Sequence, residues 1–258
     1  MDKLADELIG LANRLAEASG NIARRLFRSG VGVEIKPDQS PVTIADREGE
    51  AAIRKLIGAA HPEHGVIGEE YGDDRPEAEF VWILDPIDGT KSFITGRPTF
   101  GTLIGLVHRG RPILGVIDHP ALGERWVGAR GHPTTLNGKP ARVRPCPTPA
   151  LAALSASSPH YFVGDAGPAF ERVRRATRQV LYSADCYAYG LIASGFSDLH
   201  VDAKMGLYDY IPAVPVIEGA GGVMTDWQGQ ALGLHSGDRV VAAGDARVHE
   251  QVLKLLAG

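Results

Sequence analysis

The sequence predicts an α+β protein, and three observations support this. A long amphipathic segment opens the chain, with Leu4, Leu8, Leu11, Leu15, Ile22 and Leu26 at helical spacing. Apolar runs at residues 99–107, 113–117 and 125–129 are separated by tight turns, which is the pattern of an antiparallel meander. Beyond a proline cluster, strands and helices alternate, and this argues for βα connections in the second half.

With 258 residues, 44% of them hydrophobic and 22% charged, the chain can bury a substantial core as one domain of two packed halves. A formal net charge of −4 and a pI near 6.1 leave no basic footprint, so neither nucleic acid nor an anionic membrane is expected as a partner. A bound phosphate would have to be met by local dipoles and metal. Cys146 and Cys186 lie in no metal-ligand spacing and read as buried free thiols. Asp2, Lys3, Asp6 and Glu7 do not suit a secretory segment, and nowhere do about 18 apolar residues run together, so a cytoplasmic location is expected.

Taken in order, the first helix ends at Gly30 and Gly32, and Val33 to Lys36 is a short strand entering the turn-rich Pro37–Pro41. A second helix runs through Ala51, Ile53, Leu56 and Ile57, with Asp46 placed as its N-cap. Gly65 to Gly68 is a strand leading to Glu69 and Glu70, which alone would read as a solvated loop edge. His61 and His64, beside Pro62, read as a surface turn lacking a third ligand at metal spacing. Phe80 to Leu84 is a buried strand that stops at Asp85-Pro86. Turns at Arg109–Arg111, Leu122-Gly123 and Asn137-Gly138 punctuate the meander.

Pro140, Pro145, Pro147 and Pro149 mark a boundary, dividing the domain into an α+β half (1–145) and an α/β half (146–258). Leu151–Ser155, Val180–Ser183 and Asp198–Val201 are strands, the last ending on Asp202, and Ala169–Gln179 is a basic amphipathic helix. A helix from Asp185, its cap, ends at Gly195. Asp209 lies in the first turn of the next helix, which Pro215 should kink. Asp245 caps a last helix with Val248, Val252 and Leu255 on its apolar face.

The chemistry concentrates at Asp85-Pro86-Ile87-Asp88-Gly89-Thr90. The strand delivers Asp85 to its C-terminal edge, Asp88 follows in a tight turn, and Gly89-Thr90 lets the backbone approach a ligand as a helix opens. Two carboxylates beside free N–H groups suit a hard divalent cation holding a phosphate, although Asp-Pro and Asp-Gly are also ordinary turn formers.

Asp85-Pro86-Ile87-Asp88-Gly89-Thr90-Lys91-Ser92-Phe93 resembles the Asp-Pro-x-Asp-Gly-Thr-x-x-Phe signature of the inositol monophosphatase family. The resemblance extends to Thr43-Ile44-Ala45-Asp46, to Gly68-Glu69-Glu70, and to Tyr208-Asp209 with its helix closing in Glu218-Gly-Ala-Gly-Gly222. It implies a layered αβαβα sandwich of the inositol monophosphatase and fructose-1,6-bisphosphatase type, with the site in the cleft between the halves. It also implies Mg²⁺-dependent hydrolysis of a small-molecule phosphate monoester, two or three Mg²⁺ per active site, and a homodimer. Carried onto this chain, the ligands are Glu69, Asp85, the Ile87 carbonyl, Asp88 and Asp209. Glu69 and Thr90 would orient the water with Asp46 assisting, Gly89 and Thr90 would meet the substrate, and Lys36 would lie on a flap nearby.

Residues 89–104 and Asp185-Cys-Tyr-Ala-Tyr-Gly190 are similar to the histidinol-phosphatase branch of that family. Histidinol phosphate carries an amine and an imidazole, so its pocket should offer anions and aromatic faces. Asp185 and Asp202 are candidates for the amine, and Tyr187 and Tyr189 for the walls; a helix cap, a strand end and helix packing are their competing duties. Asp202 also aligns with a position where relatives hold substrate hydroxyls, so an inositol or sugar phosphate is the rival substrate. A haloacid-dehalogenase-type phosphatase would need Asp-x-Asp, which the gap between Asp85 and Asp88 disfavours. A regulatory binding partner with residual phosphatase activity is disfavoured by the intact set of acids.

Overall fold

The computed structural model describes residues 2–37 and 40–258, with side chains from Asp6 onward. The side chain of Leu4, and Asp38 and Gln39 of the expected turn, lie outside the described residues. Helix α1 (Asp2–Leu26) buries Leu8, Leu11 and Leu15 on one face, as their spacing requires. A ribbon of β1 (Val33–Ile35) and β2 (Pro41–Thr43) leads into helix α2 (Ile44–Ala60). The N-cap of α2 is Thr43 and not Asp46. The Thr43 hydroxyl accepts the Ala45 N–H at 3.1 Å, and Asp46, three residues on, reaches back to the Thr43 N–H at 2.8 Å. This capping box turns the Asp46 carboxylate away from solvent.

Strands β3 (Gly65–Gly68), β4 (Gly72–Asp74) and β5 (Phe80–Asp88), helix α3 (Thr90–Ile94), and strands β6 (Gly101–His108), β7 (Arg111–His119), β8 (Glu124–Ala129), β9 (Thr135–Leu136) and β10 (Lys139–Pro140) complete the first half. They form an eight-stranded sheet in the order β10-β9-β8-β7-β6-β5-β3-β4, antiparallel except for the β3–β5 pair. Strand β5 does not stop at Asp85. It passes through an irregularity between Asp85, opposite Leu103, and Asp88, opposite Gly101, because Pro86 cannot donate and one extra residue is accommodated.

The second half comprises β11 (Ala153–Ala156), α4 (Ala166–Ala176), β12 (Gln179–Tyr182), α5 (Tyr187–Ala193), β13 (Leu199–Asp202), α6 (Leu207–Tyr210), α7 (Ala213–Gly219), β14 (Val223–Asp226), β15 (Val240–Ala243) and α8 (Ala246–Ala257). Its five-stranded sheet has the order β12-β11-β13-β15-β14, with β11 parallel to both neighbours and β15 antiparallel to both of its own. Asp245 caps α8, accepting the Arg247 N–H at 2.9 Å. The expected kink at Pro215 is a full break at Ile211-Pro212. Pro215 has no N–H for the Ile211 carbonyl, which instead accepts the Val214 N–H at 3.3 Å.

Alternation along β5 then defines the layers. Trp82 and Leu84 face α1 and α2, whereas Val81 and Ile83 face α5 and α7. The far side of α5 to α7 meets Met224, Val240 and Ala242 of the second sheet, whose other face, with Leu154, Val241 and Ala243, packs on α4 and α8. The result is an αβαβα sandwich. Helix α7 can lie directly on the first sheet because Gly105, Gly115 and Gly128 stand in register on three adjacent strands. A Cβ at Gly115 would overlap the Pro212 carbonyl oxygen. That close approach brings α6, and with it Asp209, up to the end of β5.

Candidate active site

Asp85, Asp88 and Asp209 converge at this point, with one carboxylate oxygen from each within 4.8 Å of the others. Local bonds fix each of them. Asp85 accepts the Ile87 N–H at 2.9 Å, Asp88 accepts the Cys186 N–H at 2.6 Å, and Asp209 closes a turn onto the Gly206 N–H at 2.6 Å. Gly89 follows at φ 77°, and a Cβ there would lie 2.6 Å from Asp185 Cγ. Glu69 arrives from β3, the parallel neighbour of β5, and lines the same cleft of about 180 Å³ with Asp85, Ile87, Asp88, Thr90 and Asp209. A larger hollow of about 600 Å³ beside Arg130 and Arg142 has one carboxylate, Glu218, among its lining residues, so it offers no comparable site.

Burial and mutual repulsion hold the three aspartates above their ordinary ionisation range. Asp85 is pushed well above the usual range by burial, then by the charges of Glu69, Asp88 and Asp209. Asp88 is raised to about 7 by burial and then by Asp185, and Asp209 is raised well up by burial and then by Asp88. Buried like charges need a counter-cation. All the donors are hard oxygens, which fits a Mg²⁺-type ion. One ammonium already enters the site. Lys36 Nζ lies 2.9 Å from Glu69 Oε1 and 2.5 Å from Glu70 Oε1, so Glu70 is a paired, largely buried group and not a solvated one.

Beside the acids, the Thr90 hydroxyl lies 3.4 Å from Asp46 Oδ1 and 3.2 Å from the Ile87 carbonyl. The other Asp46 oxygen is occupied by the Thr43 N–H and hydroxyl. Glu50 also serves the site, although the sequence reading passed over it. Its fully buried carboxylate accepts the N–H groups of Glu70 at 2.8 Å and Tyr71 at 3.2 Å, and pairs with Arg54 at 2.8 Å. Glu50 therefore holds the turn that presents Glu69. Its i,i+4 partner Arg54 was the available signal.

The expected pocket walls need correction. Asp185 lines the cleft, but it does not cap α5. It sits at φ 50°, and its Oδ2 accepts the hydroxyls of Ser92 at 2.5 Å and Thr99 at 3.0 Å. Tyr187 and Tyr189 do not line the cleft. Tyr187 donates to Glu124 at 2.8 Å among His119 and Trp126, and Tyr189 is buried against His200. Asp202 is also inside, accepting the N–H groups of Ser157 at 2.9 Å and Ala203 at 3.1 Å. The places expected for these side chains are taken by Ser157 and Tyr161, beyond the carboxyl end of β11, and by Lys204 and Met205 after β13. Ligands lie outside the carboxyl ends of parallel strands, so these residues follow once β11 and β13 are known to pair in parallel.

His64 is not on a surface turn. It is buried between the rings of His61 and Phe80, and its Nδ1 accepts the Trp82 indole N–H at 3.1 Å. Glu63 supplies the third group the sequence lacked, but a His64 that accepts through Nδ1 carries its proton on Nε2 and has no lone pair there for a metal.

The site and the five-layered fold define a class of phosphatase, and the comparisons agree. The chain belongs to the inositol monophosphatase family, whose profile matches residues 4–257. The bifunctional phosphatase IMPL2, chloroplastic, of Arabidopsis thaliana is 47% identical over 99% of this chain and 76% of its own length. A histidinol-phosphatase of Chlorobaculum parvum is 36% identical over 92% of each chain. Among solved structures, an inositol monophosphatase from Zymomonas mobilis superposes with a TM-score of 0.91 at 43% identity, covering 98% of both chains. Among the described residues, no helix is long and apolar enough to cross a membrane.

Proposed function

We propose that this phosphatase is Mg²⁺-dependent and acts on histidinol phosphate, releasing L-histidinol and phosphate. The observation that carries the reading is the convergence of Asp85, Asp88 and Asp209 beside Glu69 and the Asp46–Thr90 pair. Bound Mg²⁺ would neutralise phosphate oxygens, acidify water and stabilise the departing oxygen. Glu69, Asp85, the Ile87 carbonyl, Asp88 and Asp209 are the groups that would hold it. Thr90 donates its hydroxyl proton to Asp46, which leaves a Thr90 lone pair to accept from the attacking water, and Glu69 or Asp46 takes the proton that the water loses. With the acids neutralised, attack in line with the ester oxygen needs no covalent intermediate.

For the substrate, Asp185 offers the cleft a carboxylate with Oδ1 unengaged among the described residues, and Tyr161 offers an aromatic face. These suit an amine and an imidazole, and the 36% identity to a histidinol-phosphatase supports the same choice. The 43% identity to an inositol monophosphatase favours a second reading, an inositol phosphate. The family resemblance also supports a homodimer, which sedimentation would test.

The deciding experiment measures phosphate released from L-histidinol phosphate and from inositol 1-phosphate, each with Mg²⁺ and with EDTA. A strong, EDTA-sensitive preference for histidinol phosphate is expected. Preference for inositol phosphate would discard the substrate, and turnover unaffected by EDTA would discard the metal site.

A further inference from the structure

Two residues just ahead of α5 have left-handed backbone, Ser183 at φ 61° and Asp185 at φ 50°. Neither is a glycine, so the surroundings must offset what the conformation costs. One stretch, from Ser92 in α3 to Thr99 ahead of β6, does so. Arg97 Nη2 donates to the Ser183 carbonyl at 3.1 Å, and the hydroxyls of Ser92 and Thr99 donate to Asp185 Oδ2 at 2.5 and 3.0 Å. Ser92 is buried, and its oxygen lies 3.2 Å from that of Thr99, so the two hydroxyls form one cradle for a single carboxylate oxygen.

With Oδ2 taking both hydroxyls, the carboxylate cannot rotate freely, and Oδ1 is left to a residue that lines the cleft and, among the described residues, pairs with no cation. The same group packs on Gly89, where a Cβ would lie 2.6 Å from Asp185 Cγ, and Gly89 opens the turn that faces the phosphate. An ammonium held by Oδ1 would therefore stand close to the ester phosphate, as an amine does on the carbon next to the ester carbon. We propose that Ser92 and Thr99 are positioning residues for substrate choice: by fixing Asp185 they make this phosphatase select monoesters that carry an ammonium beside the ester carbon. The proposal rests on the reading of Asp185 as the partner of the substrate amine. Neither hydroxyl touches the substrate, and both act through Asp185 Oδ2. Hydroxyls that served only packing would affect every phosphate ester alike.

The test compares L-histidinol phosphate with its analogue lacking the amine, imidazolylpropyl phosphate, on the full chain at saturating Mg²⁺. Ser92→Ala and Thr99→Val should each raise KM for histidinol phosphate about three- to tenfold, with kcat within about twofold of wild type and KM for the analogue unchanged. Thr99→Ser, which keeps the hydroxyl, should behave as wild type. Asp185→Asn should raise the same KM about ten- to a hundredfold, and in that background neither Ser92→Ala nor Thr99→Val should add to the loss. Thr99→Val carries the test if Ser92→Ala, at a buried position, does not fold. Unchanged KM in the hydroxyl variants, equal losses on both substrates, or losses that add to that of Asp185→Asn overturn the positioning role alone. An Asp185→Asn variant that keeps the wild-type preference for the amine overturns the reading of Asp185, and the proposal with it.

Discussion

Replacing Glu50 with alanine should damage the active site without touching it. The Glu50 side chain is wholly buried, and its two oxygens hold three donors: the Glu70 and Tyr71 N–H groups and the Arg54 guanidinium. Truncation leaves those donors to be satisfied by water that must enter beside Gly68, where the backbone already touches the Glu50 carboxylate. Removing one partner of a buried, hydrogen-bonded charge pair costs about 3–5 kcal/mol, or on the order of 10 °C in Tm for a chain of this size.

The catalytic loss should exceed what the lost stability explains. The Glu69-Glu70-Tyr71 turn is tied to β5 by one backbone bond, Glu69 N–H to Leu84 O at 3.2 Å, and otherwise by Glu50 and Lys36. A displacement of about 1 Å at Glu69 is enough to cost roughly a hundredfold in rate. Glu50→Gln keeps one carbonyl acceptor and should fall between wild type and alanine. Melting curves, Mg²⁺ titration and phosphate release at a temperature where all variants are folded would measure this. A Tm within about 2 °C of wild type with unchanged Mg²⁺ affinity would refute the idea that Glu50 holds the Glu69 turn.

Three other perturbations have definite expected outcomes. Gly20→Ala should lower Tm by about 2–6 °C, against the roughly 1 kcal/mol that alanine normally adds inside a helix, because its Cβ would sit 2.9 Å from Asp118 Oδ2; a raised Tm would show that the helix yields freely there. Tyr161→Ala should raise KM for histidinol phosphate about two- to tenfold, the value of a ring packed on the imidazole, and spare a small alkyl phosphate; equal losses on both would assign Tyr161 to packing. In EDTA, stability should fall as pH rises from about 4 to 7. Asp88 is raised from its ordinary value to about 7, so the folded state binds the proton more tightly than the unfolded chain, and deprotonation across that window removes up to about 4 kcal/mol. A flat Tm between pH 5 and 8 in EDTA would contradict that environment.

The acids were legible in the sequence and the pocket walls were not, and the difference is one of range. Asp85, Asp88 and Gly89 are placed by a strand end and one turn, which a nine-residue pattern can encode. Asp46 and Asp209 each sit three residues into a helix and reach back to its start, so short motifs carried them too, and the capping duty that competes with function at Asp46 falls to Thr43, which Asp46 only assists. The walls depend on how α5 is rotated and where it begins. Asp185 in a left-handed conformation starts α5 one residue later than a capping aspartate would. Tyr187 and Tyr189 then face Trp126 and His200, against which Gly190 packs so closely that a Cβ would meet the indole at 2.9 Å. Asp202, expected on the substrate amine with a strand end as its competing duty, is drawn inward because β11 lies beside β13 in parallel and the Ser157 N–H that follows β11 takes the carboxylate. Only knowledge of that pairing would have exchanged Asp202 for Ser157 and Tyr161.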